Sequence, residues 1–329
     1  MAEEVDGDAL VPVVEAAAAV ELTELEEQAA GFARGSRSAS TWRAYESDFA
    51  DFRTWCAERV SPVDPLPAAP ATVALYITAL AAKSRKPSTI RRRLASISVA
   101  HQVAGFETPT SDASVRAVWS GIRRWQGMAP RKMRAARTKV ITAMVAPLGD
   151  GLADARDRAL LLFGFAGALR RSELVALDVE DVSEDDAGLR LVLRRSKTDQ
   201  EAEGAIRGLP YGSHPATCPV RAWRRWLDVS GITTGPAFRS VSRHGHLGTT
   251  HLSDRALADI VKRRAAAAGL AGTFAGHSLR AGFATEGYAQ GTPELAIMRH
   301  GRWRSASVMR GYVEEGSIWN DNAAARLGL

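Results

Sequence analysis

The 329-residue sequence has few of the features that mark secreted or membrane proteins. Its only cysteines are Cys56 and Cys218, which excludes a disulfide scaffold and is typical of a reducing compartment. The longest apolar run near the start, residues 10–22, is interrupted by Glu15 and is too short to span a bilayer. No basic segment precedes that run, so a secretory signal is not expected. These absences predict a cytoplasmic protein without a membrane partner.

Motifs that indicate nucleotide or zinc chemistry are also missing. The sequence contains no GxxxxGK[ST] phosphate loop, no CxxC pair and no HExxH motif. The histidines of residues 243–251 have no defined ligand set, so we interpret them as loop residues. The acidic run of residues 178–186 could bind a metal, but its position in a loop before a predicted strand favours a solvated surface. We therefore expect no cofactor.

Positive charge, in contrast, is abundant and unevenly distributed. The first 33 residues contain nine acidic side chains and no lysine or arginine. All 43 basic residues lie in the rest of the chain, against 28 acidic ones, so the overall charge of +6 conceals a basic body behind an acidic tail. Clustered basic side chains favour a polyanionic partner such as nucleic acid. A solubilising surface is the alternative.

Hydrophobic periodicity and composition divide the chain into four parts. Residues 1–35 are predicted to be a flexible acidic tail. Residues 36–125 are predicted to form a small bundle of four helices, in which Trp125 faces inward. Residues 126–138 are polar and basic and are predicted to be a linker. Residues 139–329 mix helices with a hairpin whose strands fall within 189–198 and 207–211.

Two polar clusters in the last part combine cations with a helix start or a turn. GALRRSEL (167–174) follows an apolar helix and places Arg170 and Glu173 on one helical face. By itself this spacing indicates a local ion pair. SKTD (196–199) places Lys197 at the tip of the predicted hairpin, where a surface lysine is ordinary. Neither cluster alone indicates a catalytic site.

Two further features change that interpretation. GHSLRAGFAT (276–285) places His277 and Arg280 one turn apart near a helix start, with the positive end of the helix dipole behind them. Tyr312 follows late in the chain. An arginine, a lysine, a His–Arg pair and a late tyrosine in one domain indicate a phosphate site that lacks a metal.

These motifs resemble the tyrosine recombinases, or phage integrase family. The family pattern is an arginine in a GLRxSEL-type helix start, a hairpin lysine, HxLR, a His or Trp, and a tyrosine nine residues later. The matching residues occur here in the same order, and they are Arg170, Lys197, His277, Arg280, Trp303 and Tyr312. The resemblance covers the chain from about residue 36. It implies a mainly α fold with a small β-sheet, in which a helical core-binding domain and a mixed α/β catalytic domain form a C-shaped clamp on DNA.

The resemblance also implies an activity, namely site-specific DNA recombination through a covalent 3′-phosphotyrosine, without metal or ATP. Tyr312 is the expected nucleophile. Arg170 and Arg280 are expected to bind the non-bridging phosphate oxygens with their planar guanidinium groups. Lys197 is expected to protonate the departing 5′ oxygen.

The other matched residues have supporting roles. His277 would either hydrogen-bond the phosphate or accept the tyrosine proton, and the sequence does not separate these roles. Trp303 can only donate its indole N–H, and Glu173 would orient the neighbouring cations. Nine residues of one unbroken helix turn by about 900°, which places the two ends on opposite faces. We therefore expect Trp303 before a helix that starts near Ser305, with Tyr312 towards or beyond its end, and His300 at the surface or near DNA.

DNA contacts are predicted mainly in the helical bundle. The densest basic group comprises Lys83, Arg85, Lys86, Arg91, Arg92 and Arg93. Three successive arginines on a helix fan across about 200°, so one or two should read bases and the others should contact phosphates. Further contacts are predicted at Thr41, Arg43, Arg131, Lys132 and Arg134.

The resemblance finally implies partners and a setting. The expected partners are a double-stranded DNA site with inverted half-sites and copies of the same chain, as a dimer on one site and a tetramer in synapse. Residues 316–329 would dock into a neighbouring protomer, although from the residues alone they could equally fold back on their own core. A bacterial or phage-encoded, nucleoid-associated protein is implied. A type IB topoisomerase-like enzyme and a catalytically silent DNA-binding regulator are the alternative functions.

Overall fold

The computed structural model describes residues 35–126, 133–194 and 204–313, together with a few isolated positions near the two ends. Contacts divide the chain into two compact units, residues 1–130 and 131–329. The predicted acidic tail lies almost entirely outside the described residues, as do residues 127–132 of the predicted linker. Within the described part, no helix combines the length and the apolar character that crossing a bilayer requires.

Residues 39–126 of the first unit form four helices. They are α1 (Ala39–Ala57), α2 (Pro70–Ala82), α3 (Pro87–Val103) and α4 (Ala113–Gln126), with a short 3-10 turn at Pro109–Ser111. The Ser38 hydroxyl accepts a hydrogen bond from the Thr41 backbone N at the start of α1. Proline occupies the first position of α2 and of α3, where a missing N–H costs nothing. The prediction of an all-helical part is confirmed for the residues described between 35 and 126.

Aromatic and aliphatic side chains make up the core of the first unit. Phe52, Tyr76 and Ile90 are fully buried, and the Phe52 and Tyr76 ring centroids lie 4.9 Å apart. The prediction that Trp125 faces inward is wrong, because its side chain is 72% exposed. Ile122 is the last buried residue of α4, and Trp125 lies about one turn further on, beyond the edge of the core.

The second unit surrounds a buried helix with helices and two small sheets. The helices are α5 (Thr138–Val145), α6 (Leu152–Ala166), α7 (Arg171–Val175), α8 (Pro219–Ser230), α9 (Asp254–Ala267), α10 (Gly276–Ala289), α11 (Glu294–Gly301) and α12 (Ala306–Val313). The first sheet is antiparallel and has the order β1 (Val182–Asp185), β2 (Gly188–Leu193), β3 (Ala205–Pro210). The second pairs β4 (Arg239–Val241) with β5 (Leu247–His251). The predicted hairpin strands are confirmed as β2 and β3, whereas the short strands β1, β4 and β5 were not predicted.

Helix α6 is the centre of this unit. Its consecutive residues Leu160, Leu161, Leu162 and Phe163 are all buried, because α8 and α10 pack against it from different sides. The Phe163 ring lies 5.3 Å from that of Trp223 and 5.9 Å from that of Phe238. These contacts place the C-terminal end of α6, and the turn that follows it, in a fixed position.

A buried carboxylate also ties α6 to α9. Asp157 is fully buried, and its oxygens lie 2.6 Å from Arg156 Nη2 and 2.7 Å from a side-chain nitrogen of Arg264. A buried charge is tolerated only when it is paired and hydrogen-bonded, which these arginines provide. The pairing fixes the position of α9 relative to α6.

The acidic run at residues 178–186 is exposed over 183–186, as expected for a solvated surface, but Asp181 differs from that expectation. Asp181 is buried, and one of its oxygens lies 2.5 Å from Arg194 Nε. Asp185 accepts hydrogen bonds from the backbone N atoms of Ala187 and Gly188 in the turn between β1 and β2. Both carboxylates serve local structure, Asp181 through its ion pair with Arg194 just after β2 and Asp185 through the turn.

Helix α10 packs very closely against the segment that enters the second unit. The backbone N of Ala136 donates to the carbonyl of Ser278 at 2.9 Å. A Cβ atom on Gly282 would lie only 2.1 Å from the Ala136 carbonyl oxygen, so no side chain fits there. The glycine therefore permits a backbone-to-backbone contact that positions α10.

We predict that Gly282→Ala lowers the free energy of unfolding by about 1–3 kcal/mol, because α10 must move away from Ala136. Chemical denaturation followed by tryptophan fluorescence measures this change. Gly287→Ala on the same helix is the matched control, since its Cβ would meet Ile297 at an ordinary 3.4 Å. Equal stability of the two variants would contradict the prediction.

Candidate active site

Tyr312 lies in the last turn of α12 and is half-buried. Its hydroxyl is 2.9 Å from His277 Nε2, and its ring centroid is 6.0 Å from that of Trp303. The Thr285 hydroxyl donates to the Tyr312 carbonyl at 2.6 Å, which attaches the end of α12 to α10. The tyrosine hydroxyl is thus held beside an imidazole by a fixed helix end.

The bend predicted between Trp303 and Tyr312 is confirmed. Helix α11 ends at Gly301, Arg302 adopts a left-handed conformation with φ 55°, and α12 begins at Ala306. A Cβ atom on Gly301 would overlap the Trp303 ring at 1.7 Å. Glycine at this position therefore allows the indole to fold back over the helix end and face Tyr312.

A buried guanidinium lies at the centre of the site. Arg280 is 3% exposed, and it donates from Nη1 to the Ala168 carbonyl and from Nη2 to the Gly301 carbonyl, both at 2.5 Å. Its Cζ lies 4.1 Å from the centroid of the Trp303 ring, a cation–π contact. Burial and the positive charge of Arg170 lower the pKa of Arg280 to about 10, so it remains protonated at neutral pH. Arg280 thus connects α10 to the turn after α6 and to the turn after α11.

Arg170 is held by a neighbour on its own helix. It is the N-cap of α7, and its backbone N donates to Glu173 Oε2 at 2.8 Å while its Nη1 donates to Oε1 at 2.5 Å. Glu173 is buried, whereas the Arg170 side chain is partly exposed. The carboxylate therefore fixes both the helix start and the direction of the arginine side chain.

His277 lies in the first turn of α10. Partial burial of its ring, together with the positive charges of Arg280, Arg171 and Arg170, lowers the pKa of His277. A neutral imidazole carries one proton on its two nitrogens, so Nε2 can accept a hydrogen bond from the Tyr312 hydroxyl. The geometry presents a proton acceptor to the tyrosine.

The structure brings together most of the predicted site residues. Direct contacts link Arg170 to Glu173, His277 to Tyr312, and Arg280 to Trp303. Electrostatic interaction between Arg170 and Arg280 connects the first pair to the others. Lys197 lies outside the described residues.

His300 does not lie at the surface, which is one of the two positions expected for it. It is half-buried, its Nε2 lies 2.8 Å from the Ala166 carbonyl, and its ring stacks on Phe283 with centroids 4.6 Å apart. Burial lowers the pKa of His300. The last turn of α11 lies against the end of α6 and the middle of α10, which encloses the ring.

Comparison with known proteins supports the same family that the motifs indicate. The model of the phage integrase family matches residues 134–316. An integrase/recombinase XerD homolog from Selenomonas ruminantium is 40% identical over 298 residues, which cover 89% of this chain and 86% of that protein. The chain belongs to the phage integrase family.

Other members of the family show how far the likeness extends. The Cre recombinase of Escherichia phage P1 is 26% identical over 302 residues, which cover 85% of each protein. IMRHGRW (297–303) and LSDRAL (252–257) resemble Cre in particular, yet the overall identity to Cre is lower than to the Selenomonas protein. A solved lambda integrase dimer bound to a COC′ core site has a TM-score of 0.61 at 15% identity, covering 87% of this chain and 75% of that chain. At that identity, the structural likeness establishes the fold.

Arg207 is a buried residue near the site that the sequence interpretation missed. It lies on β3 and is 7% exposed, and its charge acts on both Arg280 and His300. The alternation along AIRGLP places Arg207 on the same face as Leu209, which was the available signal. A charged residue is unusual on the apolar face of a strand, so this position distinguishes Arg207 from the other basic residue of the sheet.

The residues predicted to contact DNA in the first unit differ in their surroundings. Lys83, Arg85, Lys86 and Arg91 are exposed. Arg92 is half-exposed, and its Nε lies 2.9 Å from buried Asp48. Arg93 is directed inward, with its side chain 11% exposed, and it pairs with Asp51 and donates to the Tyr76 hydroxyl at 2.7 Å. Arg93 is thus a structural residue of this unit rather than part of its exposed surface.

The remaining predicted DNA contacts are partly engaged with their own unit. The Thr41 hydroxyl lies 2.9 Å from that of Ser38 at the start of α1, and Arg43 is exposed on the same helix. Arg134 Nη1 donates to the Ala271 carbonyl at 2.6 Å. Arg131 and Lys132 lie outside the described residues.

We predict that His277 titrates below the ordinary histidine value of 6.5, because burial and nearby cations favour its neutral form. NMR titration of labelled histidine, assigned with His277→Gln, measures the midpoint. Arg171→Gln removes one of the cations and should raise that midpoint, whereas Arg255→Gln, at a highly exposed position on α9, should leave it unchanged. A wild-type midpoint above 6.5 would contradict this reading of the site.

Proposed function

We propose that this protein is a site-specific DNA recombinase that cleaves and rejoins strands through a covalent bond between Tyr312 and a 3′ phosphate. The observation that carries the proposal is the 2.9 Å contact between the Tyr312 hydroxyl and His277 Nε2, next to the Arg280–Trp303 pair. The relative from Selenomonas and phage Cre are both described as recombinases, which supports the same class of reaction.

The proposed cleavage step needs no external energy source. The Tyr312 oxygen attacks phosphorus, a P–O bond forms, and the bond to the 5′ oxygen breaks. His277 accepts the tyrosine proton. Lys197, whose role is implied by the family resemblance, donates a proton to the departing 5′ oxygen. Rejoining reverses these steps with a 5′ hydroxyl from another strand. The phosphotyrosine bond retains the energy of the phosphodiester, so ATP is not required.

Stabilisation of the transition state is assigned to guanidinium groups. Negative charge accumulates on the non-bridging oxygens during attack, and preorganised donors aimed at that charge supply most of the catalysis. Arg170 is oriented by Glu173 and partly exposed, so its guanidinium group can reach a phosphate. Arg280 contributes a second positive charge, and the Trp303 indole N–H contributes a neutral donor.

Of the two roles left open for His277, its position favours proton acceptance. Its Nε2 lies within hydrogen-bond distance of the tyrosine hydroxyl, and its pKa is lowered, so the ring is available as an acceptor at neutral pH. A doubly protonated ring would have no acceptor nitrogen. The phosphate would then be bound mainly by the arginines.

DNA binding is proposed for both units. Exposed basic residues at the start of α3 suit contacts with DNA phosphates and base edges. The two units would act as a clamp, with the linker along the DNA backbone. A dimer on inverted half-sites and a tetramer in synapse are proposed, with residues 316–329 docking into the neighbouring protomer. The solved lambda integrase dimer on its core site supports the dimer by analogy. A cytoplasmic, nucleoid-associated location follows from DNA as the substrate.

The two alternative functions are less well supported. A catalytically silent regulator needs only DNA binding and would not require tyrosine, imidazole and guanidinium groups in mutual contact. A type IB topoisomerase-like enzyme would use the same chemistry but act on one duplex. The recombinase relatives favour strand exchange between two sites.

We predict a covalent protein–DNA adduct on nicked substrates that carry sites selected from a random library. The adduct should be absent in Tyr312→Phe, which lacks the attacking oxygen, and present in Tyr211→Phe, a partly exposed tyrosine on the loop after β3. Denaturing gels quantify the adduct. Cleavage should persist in EDTA, because the arginines neutralise the phosphate. No adduct on any selected site would refute the proposed enzyme, and a strict Mg²⁺ requirement would indicate a metal nuclease instead.

We predict different effects from two neighbouring arginines in DNA binding. Arg91→Ala should weaken binding and reduce the slope of log K against log salt by about 1, because one phosphate contact is lost. Arg93→Ala should instead lower the free energy of unfolding by about 2 kcal/mol, because it removes the ion pair with Asp51, the hydrogen bond to the buried Tyr76 and one of the two cations beside buried Asp48. Salt-dependent anisotropy and chemical denaturation measure the two effects. A stable Arg93→Ala protein with weakened binding would contradict this assignment.

A further inference from the structure

Arg207 is a buried cation without a matching anion in the described structure. It points inward from β3, opposite Leu191 of β2, and is 7% exposed. Its Nη1 donates to the Arg299 carbonyl at 3.3 Å, while its Nε is buried and has no hydrogen-bond partner. Among the described carboxylates, none lies within ion-pair distance of it. Glu173 attracts it from further away but is already engaged with Arg170.

Such a residue is costly to the fold. A buried guanidinium loses its hydration, and only paired charge or full hydrogen bonding compensates that loss. Burial, followed by the positive charges of Arg302 and Arg170, lowers the pKa of Arg207 to about 10 against the attraction of Glu173. The group therefore stays charged at neutral pH. Its environment contains more positive than negative charge, which an entering anion would balance.

The position of Arg207 connects that charge to the candidate active site. Its hydrogen-bond acceptor, the Arg299 carbonyl, belongs to the last turn of α11. Two residues later the Gly301 carbonyl accepts from Arg280, and Trp303 follows under the Arg280 guanidinium. Arg207 thus holds the sheet against the turn on which the Arg280–Trp303 pair depends.

We propose that Arg207 is a positioning residue for DNA strand cleavage. It holds the turn at 299–303, and it supplies positive charge that an entering DNA phosphate neutralises. This proposal rests on the proposed function. Arg207 acts through Arg280 and Trp303 and through the electrostatic potential, without touching the reacting atoms. An apolar side chain at this position of β3 would satisfy the fold but would not attract the phosphate.

The test compares Arg207→Met and Arg207→Lys in the full-length protein on a nicked DNA substrate that the wild type cleaves. Arg207→Met should form the covalent adduct more slowly by at least about tenfold, because the turn and the charge behind the phosphate are both altered. Arg207→Lys keeps the charge and should recover part of the rate. The matched control is Arg190→Met, on the exposed face of the same sheet, and it should cleave like the wild type.

Thermal unfolding separates this role from a purely structural one. Arg207→Met should unfold at the wild-type temperature or above it, because a buried unpaired charge is removed. A lower unfolding temperature that parallels the loss of cleavage, without recovery in Arg207→Lys, would overturn the proposal. So would wild-type cleavage by Arg207→Met. Absence of an adduct with the wild type would instead refute the proposed function, and this proposal with it.

Discussion

The buried guanidinium of Arg280 is the interaction on which the site depends. It joins the turn after α6, through the Ala168 carbonyl, to the turn after α11, through the Gly301 carbonyl, and it stacks on Trp303. A carboxylate could have neutralised this charge, but two backbone carbonyls accept hydrogen bonds from Nη1 and Nη2 and leave the charge in place. The same contact therefore performs two tasks, since it assembles three separate segments and leaves a positive potential where a phosphate would bind. Neither a lysine nor a neutral side chain can bridge two carbonyls and stack on an indole in this way.

The charge around Arg280 explains the arrangement of its neighbours. Arg170, Arg207 and Arg280 lie within electrostatic reach of one another, and Glu173 is the carboxylate that acts on all three. Mutual repulsion between buried cations opposes folding, so the second unit needs strong packing elsewhere, which the aromatic cluster around α6 and the ion pairs of Asp157 supply. Burial lowers the pKa of His277, and Arg280, Arg171 and Arg170 lower it further, because a second proton on that ring would add to the repulsion. The cations of the proposed phosphate site thereby also favour the neutral form of the imidazole.

Local patterns in the sequence predicted where several helices, strands and bends lie, but they did not predict which side chains are buried. The spacing of nine between Trp303 and Tyr312 required a bend, and the break between α11 and α12 lies there. The helix starts at Arg170 and His277 and the strands β2 and β3 also follow from local signals. Local signals did not predict the surroundings of Trp125, Arg93 and His300. The exposure of a side chain depends on which residues the rest of the chain places beside it. A tryptophan in register with a core remains exposed when the core ends one turn earlier, and an arginine in a basic run turns inward when two aspartates and a tyrosine lie beneath it.

The first unit shows why a count of basic residues overstates a DNA-binding surface. Arg93 is held inside the unit by Asp51 and Tyr76, so the run of three arginines presents two of its members to solvent. Those two are not equivalent, because Asp48 contacts Arg92 Nε at 2.9 Å and Nη2 at 3.1 Å, which fixes the direction of its guanidinium. A side chain that is already oriented loses less conformational entropy when it binds, and it favours one approach direction over others. Base edges demand such a direction, whereas phosphates accept many. Under the proposed function, the buried carboxylate of Asp48 therefore makes Arg92 the better candidate for reading a base and Arg91 the better candidate for a phosphate contact.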